Sequence, residues 1–248
     1  MKIAIIGYGK MGKIIEKIAL SKGHEVILRV TRENAANVKR EDLKRADVAI
    51  EFSRPETAFQ NVANCLEIGL PVISGTTGWL DQLSAAKKIC LEQKGAFLYA
   101  SNFSVGVNVF FALNKYLASL MSGHSQYNVS MEEVHHVEKL DYPSGTAITL
   151  AEGILSNTKE KKIWEGRLEQ QENKNEPVED DGSKLIITSK RIDSVPGTHI
   201  VKWSSSIDQI EISHVAHSRE GFAEGAIAAA EWIIGKEGFF GMKDMLGF

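Results

Sequence analysis

Short apolar runs, each ended by glycine or a polar residue, alternate with stretches of helical period through the N-terminal part of the chain. Lys2 to Ile6 runs apolar into Gly7 and predicts a buried strand. Met11, Ile14, Ile15, Ile18 and Ala19 recur at helical spacing and predict a helix over Met11 to Ser21, stopping before Lys22-Gly23. Strands are predicted at Glu25 to Val30, Ala46 to Phe52, Pro71 to Ser74 and Ala96 to Ala100, and helices at Pro55 to Glu67 and Leu80 to Gln93. Pro55 suits a first helical turn, where its missing N–H is no loss. Strands that alternate with helices argue for a parallel sheet covered on both faces.

After Asn102 the pattern changes. Helices are predicted at Val107 to Met121 and Ser144 to Asn157, and strands at Asn128 to His136, Lys184 to Arg191, Thr198 to Ser205 and Asp208 to His214. Strands grouped in sequence indicate an α+β unit on an open, antiparallel or mixed sheet. The polar stretch Gln170 to Lys184 reads as a mobile loop. Phe222 to Ile234 is an alanine-rich apolar helix that needs a surface to cover it. Packing it on the first domain makes the second an insertion: residues 1–104 with 217–248 form a dinucleotide-binding domain, and 105–216 a substrate-binding and oligomerisation domain.

Composition narrows the functional classes. The 248 residues are 43% hydrophobic and 25% charged with a formal net charge of -3, which gives no overall attraction to nucleic acid or an anionic membrane. No apolar run approaches the ~20 residues of a membrane helix, and no secretory signal is visible. Cys65 and Cys90 both fall in predicted helices and read as buried reduced thiols, so a cytoplasmic location is expected.

Gly7-Tyr8-Gly9-Lys10-Met11-Gly12 follows a predicted strand and opens a predicted helix, the context a G-x-G-x-x-G dinucleotide loop requires. Its glycines permit a tight turn and close backbone approach, and the helix start offers N–H groups to a pyrophosphate. The second strand ends in Val30-Thr31-Arg32, without the acidic residue that usually holds the ribose. Arg32 can instead meet a 2′-phosphate or stack on adenine, and the former points to NADPH being accepted. Gly75-Thr76-Thr77 and Ala100-Ser101-Asn102-Phe103 end two further strands on the same edge, where doubly wound sheets bind ligands.

Proton donors concentrate in His135-His136-Val137-Glu138-Lys139-Leu140-Asp141-Tyr142-Pro143-Ser144-Gly145-Thr146-Ala147. Strand parity puts His135 on one side with Glu133 and turns His136 away, so the strand must end or bend at this pair if both line one pocket. Histidine can give a proton near neutrality and lysine adds fixed charge. Ser144, Gly145 and Thr146 open a helix and form a carboxylate cradle. Adjacent histidines can also bind metal, but no third ligand stands at a suitable spacing and no metal is expected. His214 and His217 read as structural or pocket-lining residues.

These segments resemble the dihydrodipicolinate reductase family over nearly the whole chain. Gly7 to Gly12, Gly75-Thr76-Thr77-Gly78, Asn102-Phe103-Ser104-Val105-Gly106, the run from His135 to Ala147, Gly197-Thr198-His199, Ile210 to His214, Arg219 and Phe222 to Ala226 carry the likeness. The resemblance implies a Rossmann-type α/β domain with an inserted substrate domain, assembled as a homotetramer through the insert's sheet. It implies reduction of 4-hydroxy-tetrahydrodipicolinate to tetrahydrodipicolinate by NADPH or NADH, in the diaminopimelate route to lysine. By the same likeness His135 donates a proton, Lys139 donates and steadies the substrate, and His136, Ser144, Gly145 and Thr146 bind its carboxylates. The chain departs from the family in a glycine loop one residue shorter, in Ser101 where proline is usual, in Tyr142, and in the absent ribose carboxylate. Another amino-acid or keto-acid dehydrogenase, or a dinucleotide-sensing regulator, would share the scaffold; a sensor needs no proton donor.

Overall fold

The computed structural model describes residues 1–169 and 182–248. The chain divides into two units, Met1–Val105 with Glu220–Phe248, and Gly106–Arg219.

The first unit begins with β1 (Lys2–Ile6), α1 (Lys10–Ser21), β2 (Glu25–Val30), the short α2 (Arg40–Leu43), β3 (Val48–Glu51), α3 (Pro55–Glu67), β4 (Val72–Ser74), α4 (Leu83–Glu92) and β5 (Ala96–Tyr99). The second unit holds α5 (Val105–Met121, whose first residue belongs to the first unit), β6 (Asn128–His135), α6 (Gly145–Leu155), β7 (Ile163–Leu168), β8 (Lys184–Arg191), β9 (Gly197–Ser204) and β10 (Gln209–Ala216). The chain then returns to the first unit with α7 (Glu220–Ile233), β11 (Gly238–Phe240) and α8 (Met242–Leu246).

In the first unit the strands lie in the order β11-β5-β4-β3-β1-β2, every neighbouring pair parallel. Both faces are buried, which is why the strands read as continuous apolar runs. Ile3, Ile5, Ile50, Ile73 and Leu98 face one core with α1 and α7; Ala4, Ile6, Ala49, Val72 and Phe97 face the other with α3 and α4. Each fully buried isoleucine or leucine contributes about 1.5–3 kcal/mol. Helix α7 covers the first core with Ala223, Ala226, Ile227, Ala229 and Ala230. Gly225 permits this approach, because a Cβ there would lie 1.8 Å from the carbonyl oxygen of Phe103.

In the second unit the order is β10-β9-β6-β8-β7, antiparallel across β10-β9-β6 and parallel across β6-β8-β7. The sheet is therefore open and mixed. Helices α5 and α6 cover one face over Val129, Met131, Leu185, Ile187, Val201 and Trp203. The other face carries cross-strand ion pairs, Lys190 to Glu132 at 2.6 Å and Lys202 to Glu211 at 3.2 Å. Strand β7, unmarked in the hydropathy pattern, adds an edge. Residues 170–181 of the expected polar loop lie outside the described residues, and its last residue, Lys184, begins β8.

Candidate functional site

Strand β6 ends at His135, one residue before the expected end, so the chain breaks from the sheet at the histidine pair. His136 leaves the sheet, and a turn closes with the Lys139 N–H donating to the His136 carbonyl at 3.1 Å. Arg191 ties the following loop down: its Nε donates to the Lys139 carbonyl at 3.0 Å and its Nη2 to that of Asp141 at 2.9 Å. The Lys139 ammonium pairs with the Asp141 carboxylate at 2.7 Å. Tyr142 is exposed beside this loop.

On the helix-covered face, register turns the apolar core into a polar layer at one end. Glu133 stands opposite Ser189 of β8 and His199 of β9, and His135 opposite Arg191. Glu133 is fully buried. It accepts from the Ser144 N–H at 3.0 Å and the Ser189 hydroxyl at 2.8 Å. Its oxygens also lie 3.6 Å from His135 Nδ1, 3.8 Å from His199 Nε2 and 3.7 Å from an Arg191 nitrogen. Burial works to raise the Glu133 carboxyl, but hydrogen bonds from Ser144 and Ser189 outweigh it and hold the group below the usual carboxylate range. Burial lowers the His135 imidazole; Glu133 opposes that, while Lys139, Arg191 and His136 reinforce it. Burial, then neighbouring His135, pushes His199 down to about 4, so it is neutral at pH 7.

Ser144 caps α6: its hydroxyl accepts from the Ala147 N–H at 3.2 Å and meets His199 Nε2 at 3.0 Å. That side chain is buried in the polar layer. Gly145 is exposed with open space where a Cβ would stand, and Thr146 is half-buried. They hold the first two helical positions, whose N–H groups have no partner within a helix. The cradle expected from the sequence thus presents backbone at Gly145 and Thr146, with the Ser144 hydroxyl turned inward.

Donor atoms of Glu133, His135 and His199 lie within 4.8 Å of one another, so His199 supplies the third potential metal ligand that spacing along the chain could not reveal. Existing partners argue against a cation. The Glu133 oxygens hold Ser144 and Ser189, His199 faces Ser144, and Lys139 and Arg191 put positive charge beside the cluster.

In the first unit, Gly7 adopts φ +97°, and a Cβ there would lie 2.1 Å from the Phe52 carbonyl oxygen. A Cβ on Gly12 would lie 2.5 Å from the Gly7 carbonyl oxygen. These two glycines serve packing. Gly9 differs: it starts α1 with φ −87°, no side chain caps the helix, and nothing lies within 4 Å of its missing Cβ. That open start is the cradle a pyrophosphate fits. A cleft of about 820 Å³ runs past Gly7, Tyr8, Gly9, Thr31 and Arg32, and sequence reasoning missed its other cations, Lys13 and Arg54. A smaller cleft of about 360 Å³ shares Gly9, Phe52 and Ser53 with it and adds Lys10, Met11, Gly75, Thr76 and Thr77.

Glu51, at the end of β3, organises this edge and was also missed. Fully buried, it accepts from the Ser53 N–H at 2.9 Å and hydroxyl, the Ser74 hydroxyl at 2.6 Å and the Thr76 hydroxyl at 2.9 Å. A carboxylate closing the apolar run Val48-Ala49-Ile50 was the available signal. The segment from Ala100 to Phe103 lines neither cleft. Ala100 and Phe103 are buried, Phe103 with its ring 5.6 Å from that of Phe52; Ser101 is exposed, and Asn102 accepts from the Ser104 N–H.

The family model described as the N-terminus of dihydrodipicolinate reductase matches residues 1–103, and that of its C-terminus matches 106–246. A 4-hydroxy-tetrahydrodipicolinate reductase of Christiangramia forsetii is 47% identical, covering 99% of this chain and 98% of the relative. The enzyme of the same name from Archaeoglobus fulgidus is 34% identical, covering 99% and 100%. Among solved structures, a dipicolinate-bound dihydrodipicolinate reductase from Paenisporosarcina sp. TG-14 superposes with a TM-score of 0.75 over 98% of both chains. At 21% identity that likeness concerns the fold.

Proposed function

The chain belongs to the dihydrodipicolinate reductase family, and from that premise we propose which of its residues carry out each part of the reaction. The reaction is reduction of 4-hydroxy-tetrahydrodipicolinate to tetrahydrodipicolinate with NADPH or NADH, releasing water and consuming one proton in net balance. The bound nicotinamide supplies the hydride. The first unit is the dinucleotide-binding domain: the open backbone at Gly9 and the N–H groups of Lys10 and Met11 receive the pyrophosphate. Arg32, with Lys13 and Arg54 in the same cleft, receives a 2′-phosphate. Glu51 fixes Ser53 and Thr76 at the cleft shared by Gly75 and Thr77, and the backbone from Ala100 to Phe103 completes the strand-end edge.

The second unit is the substrate domain. Gly145 and Thr146 offer N–H groups to one carboxylate, Ser144 shapes that helix start, and His136 with Lys139 holds the remaining negative charge. His135 gives the proton that completes addition to the conjugated imine, and Lys139 is the second donor. The observation that carries this reading is the buried Glu133-His135 pair beside Lys139, Arg191 and the opening of α6. Burial, and after it the charges of Lys139, Arg191 and His136, depress His135; an arriving dianion opposes the charge contribution. The dipicolinate-bound structure of similar fold supports a small dicarboxylate as the ligand class.

We further place the protein in the cytoplasm, a location supported by two buried free cysteines, Cys65 and Cys90. Among the described residues no helix is long and apolar enough to cross a membrane. The family likeness implies a homotetramer through the insert's sheet, and Val109, Leu113, Tyr116 and Leu120, exposed on successive turns of α5, offer a further apolar face for association. Light scattering tests it by giving the tetramer mass. The activity is tested by following NADPH absorbance while a dihydrodipicolinate synthase generates the substrate. Consumption dependent on both enzymes is expected, and oxidation of amino or hydroxy acids without it would favour a dehydrogenase.

A further inference from the structure

We propose that Glu133 is the positioning residue of the proton donor: its carboxylate faces Nδ1 of His135 and selects the tautomer that leaves Nε2 to deliver the proton. The inference rests on the reading of His135 as the donor. Neutral imidazole carries one proton, and which nitrogen bears it follows from what the other faces. Nδ1 of His135 is buried with no hydrogen-bond partner. Glu133 Oε2 stands 3.6 Å from it and is its salt-bridging carboxylate among the described residues. Hydrogen bonds of catalytic groups are often long before substrate arrives and shorten in the complex. A small rotation of His135 about its side-chain bonds closes this one.

The other nitrogen, Nε2, lies beside the backbone of Gly197. Gly197 precedes Thr198, the residue of β9 that stands opposite Val134. A Cβ on Gly197 would come to 3.1 Å from His135 Nε2 and 3.3 Å from Cδ2. The sequence therefore withholds a side chain where the delivering nitrogen needs room, and places an anion where the other nitrogen needs a partner.

Glu133 is itself held from several elements. The Ser144 N–H at the head of α6 and the Ser189 hydroxyl on β8 fix its two oxygens, and His199 on β9 stands 3.8 Å away. His199 further pins Ser144 by its contact with that hydroxyl. The groups facing His135 are then Glu133 on its own strand, Arg191 on β8, His199 on β9, and His136 and Lys139 on the loop that follows. Arg191, Lys139 and His136 oppose a charged imidazole, burial opposes it too, and His199 is neutral. Glu133 supplies the compensating negative charge. In turnover the imidazolium gives its Nε2 proton to the substrate and returns to neutral imidazole, keeping Nδ1–H toward Glu133. The arrangement follows the logic by which a buried carboxylate orients a catalytic histidine.

A general acid must be protonated, so kcat falls as pH rises through its pKa. Glu133→Gln removes the charge that favours imidazolium and preserves shape. The alkaline limb of the kcat profile should move about one pH unit lower, a tenfold loss above the limb, with NADPH affinity unchanged. Glu133→Asp keeps the charge and should return the limb toward its wild-type position. His135→Asn should abolish the limb. A limb unmoved in Glu133→Gln yet absent in His135→Asn overturns the role of Glu133 and leaves the donor in place. A limb and turnover unchanged in His135→Asn overturns the donor reading itself. Imidazole ¹⁵N shifts of wild-type enzyme, assigned against His135→Asn, require no folded Glu133 variant. They should report Nδ1–H above the pKa, and an Nε2–H signature overturns the proposal.

Discussion

Replacing Gly9 by alanine should separate cofactor binding from folding within the glycine loop. Gly9 has negative φ, and its added methyl meets no atom within 4 Å from the described residues beyond its own immediate neighbours in the chain. Alanine is a poorer helix N-cap than glycine by roughly 0.5–1 kcal/mol, and it gains about 0.4–1 kcal/mol by restricting the unfolded chain. Stability should therefore stay within about 1 kcal/mol of wild type. The methyl nevertheless projects over the open start of α1, where the pyrophosphate must approach. An overpacking cost of about 1–3 kcal/mol corresponds to roughly 5–150-fold weaker binding. Gly7→Ala should behave in the opposite sense. It forces alanine to φ +97° and sets its Cβ 2.1 Å from the Phe52 carbonyl oxygen. Strain of about 1–2 kcal/mol with overpacking of about 1–3 kcal/mol predicts roughly 2–5 kcal/mol of destabilisation, a fall in Tm of about 4–20 °C. Nicotinamide fluorescence titration with NADPH gives the Kd, and thermal unfolding gives the Tm. Wild-type NADPH affinity in Gly9→Ala would refute the assignment of this helix start to the pyrophosphate.

Arg32→Ala should weaken NADPH about tenfold, the scale of one charged contact, and leave NADH unchanged; equal effects on both in competition titrations would reject the 2′-phosphate role. Glu51→Ala strands two buried donors, the Ser74 and Thr76 hydroxyls, at about 1–3 kcal/mol each before relaxation, so urea unfolding should show a loss of about 2–5 kcal/mol. His199 gives a pH signature. Its folded pKa is depressed to about 4, so the unfolded chain takes up a proton that the native state refuses. Its contribution is present above pH ~6.5, the unfolded value, and fades as pH falls toward about 4. Up to about 3 kcal/mol is at stake over that window, and His199→Asn should flatten the wild-type decline in denaturation midpoints between pH 7 and pH 4.5.

What could be read before any coordinates follows from where each signal resides. The strands of the first unit are buried on both faces, so Lys2–Ile6 and Val72–Ser74 announce themselves as apolar runs. Helix α3 is bounded by Pro55 at its start and falls where its period indicates. In β6, alternation alone puts Glu133 and His135 on one face, while the end of the strand at His135 is not encoded in that alternation. The polar layer around them is another matter. Ser189 and His199 join Glu133 through register between strands more than fifty residues apart in sequence, which no single-strand pattern encodes. For the same reason the inward turn of the Ser144 hydroxyl could not be read from an N-cap signature. Strand β7 was hidden because Gly166 reads as a turn residue; it is glycine because a Cβ would lie 2.4 Å from the Pro143 ring. Strand β11 has only three residues and begins with glycine, too little for a period to show.

The most direct measurement compares wild-type and His135→Asn turnover of freshly generated 4-hydroxy-tetrahydrodipicolinate at saturating NADPH, with the NADPH Kd measured alongside. Removing the general acid should lower kcat by about 10²-fold or more, with the Kd for NADPH unchanged. Turnover within about twofold of wild type, where a general acid contributes at least about 10²-fold, would contradict the account.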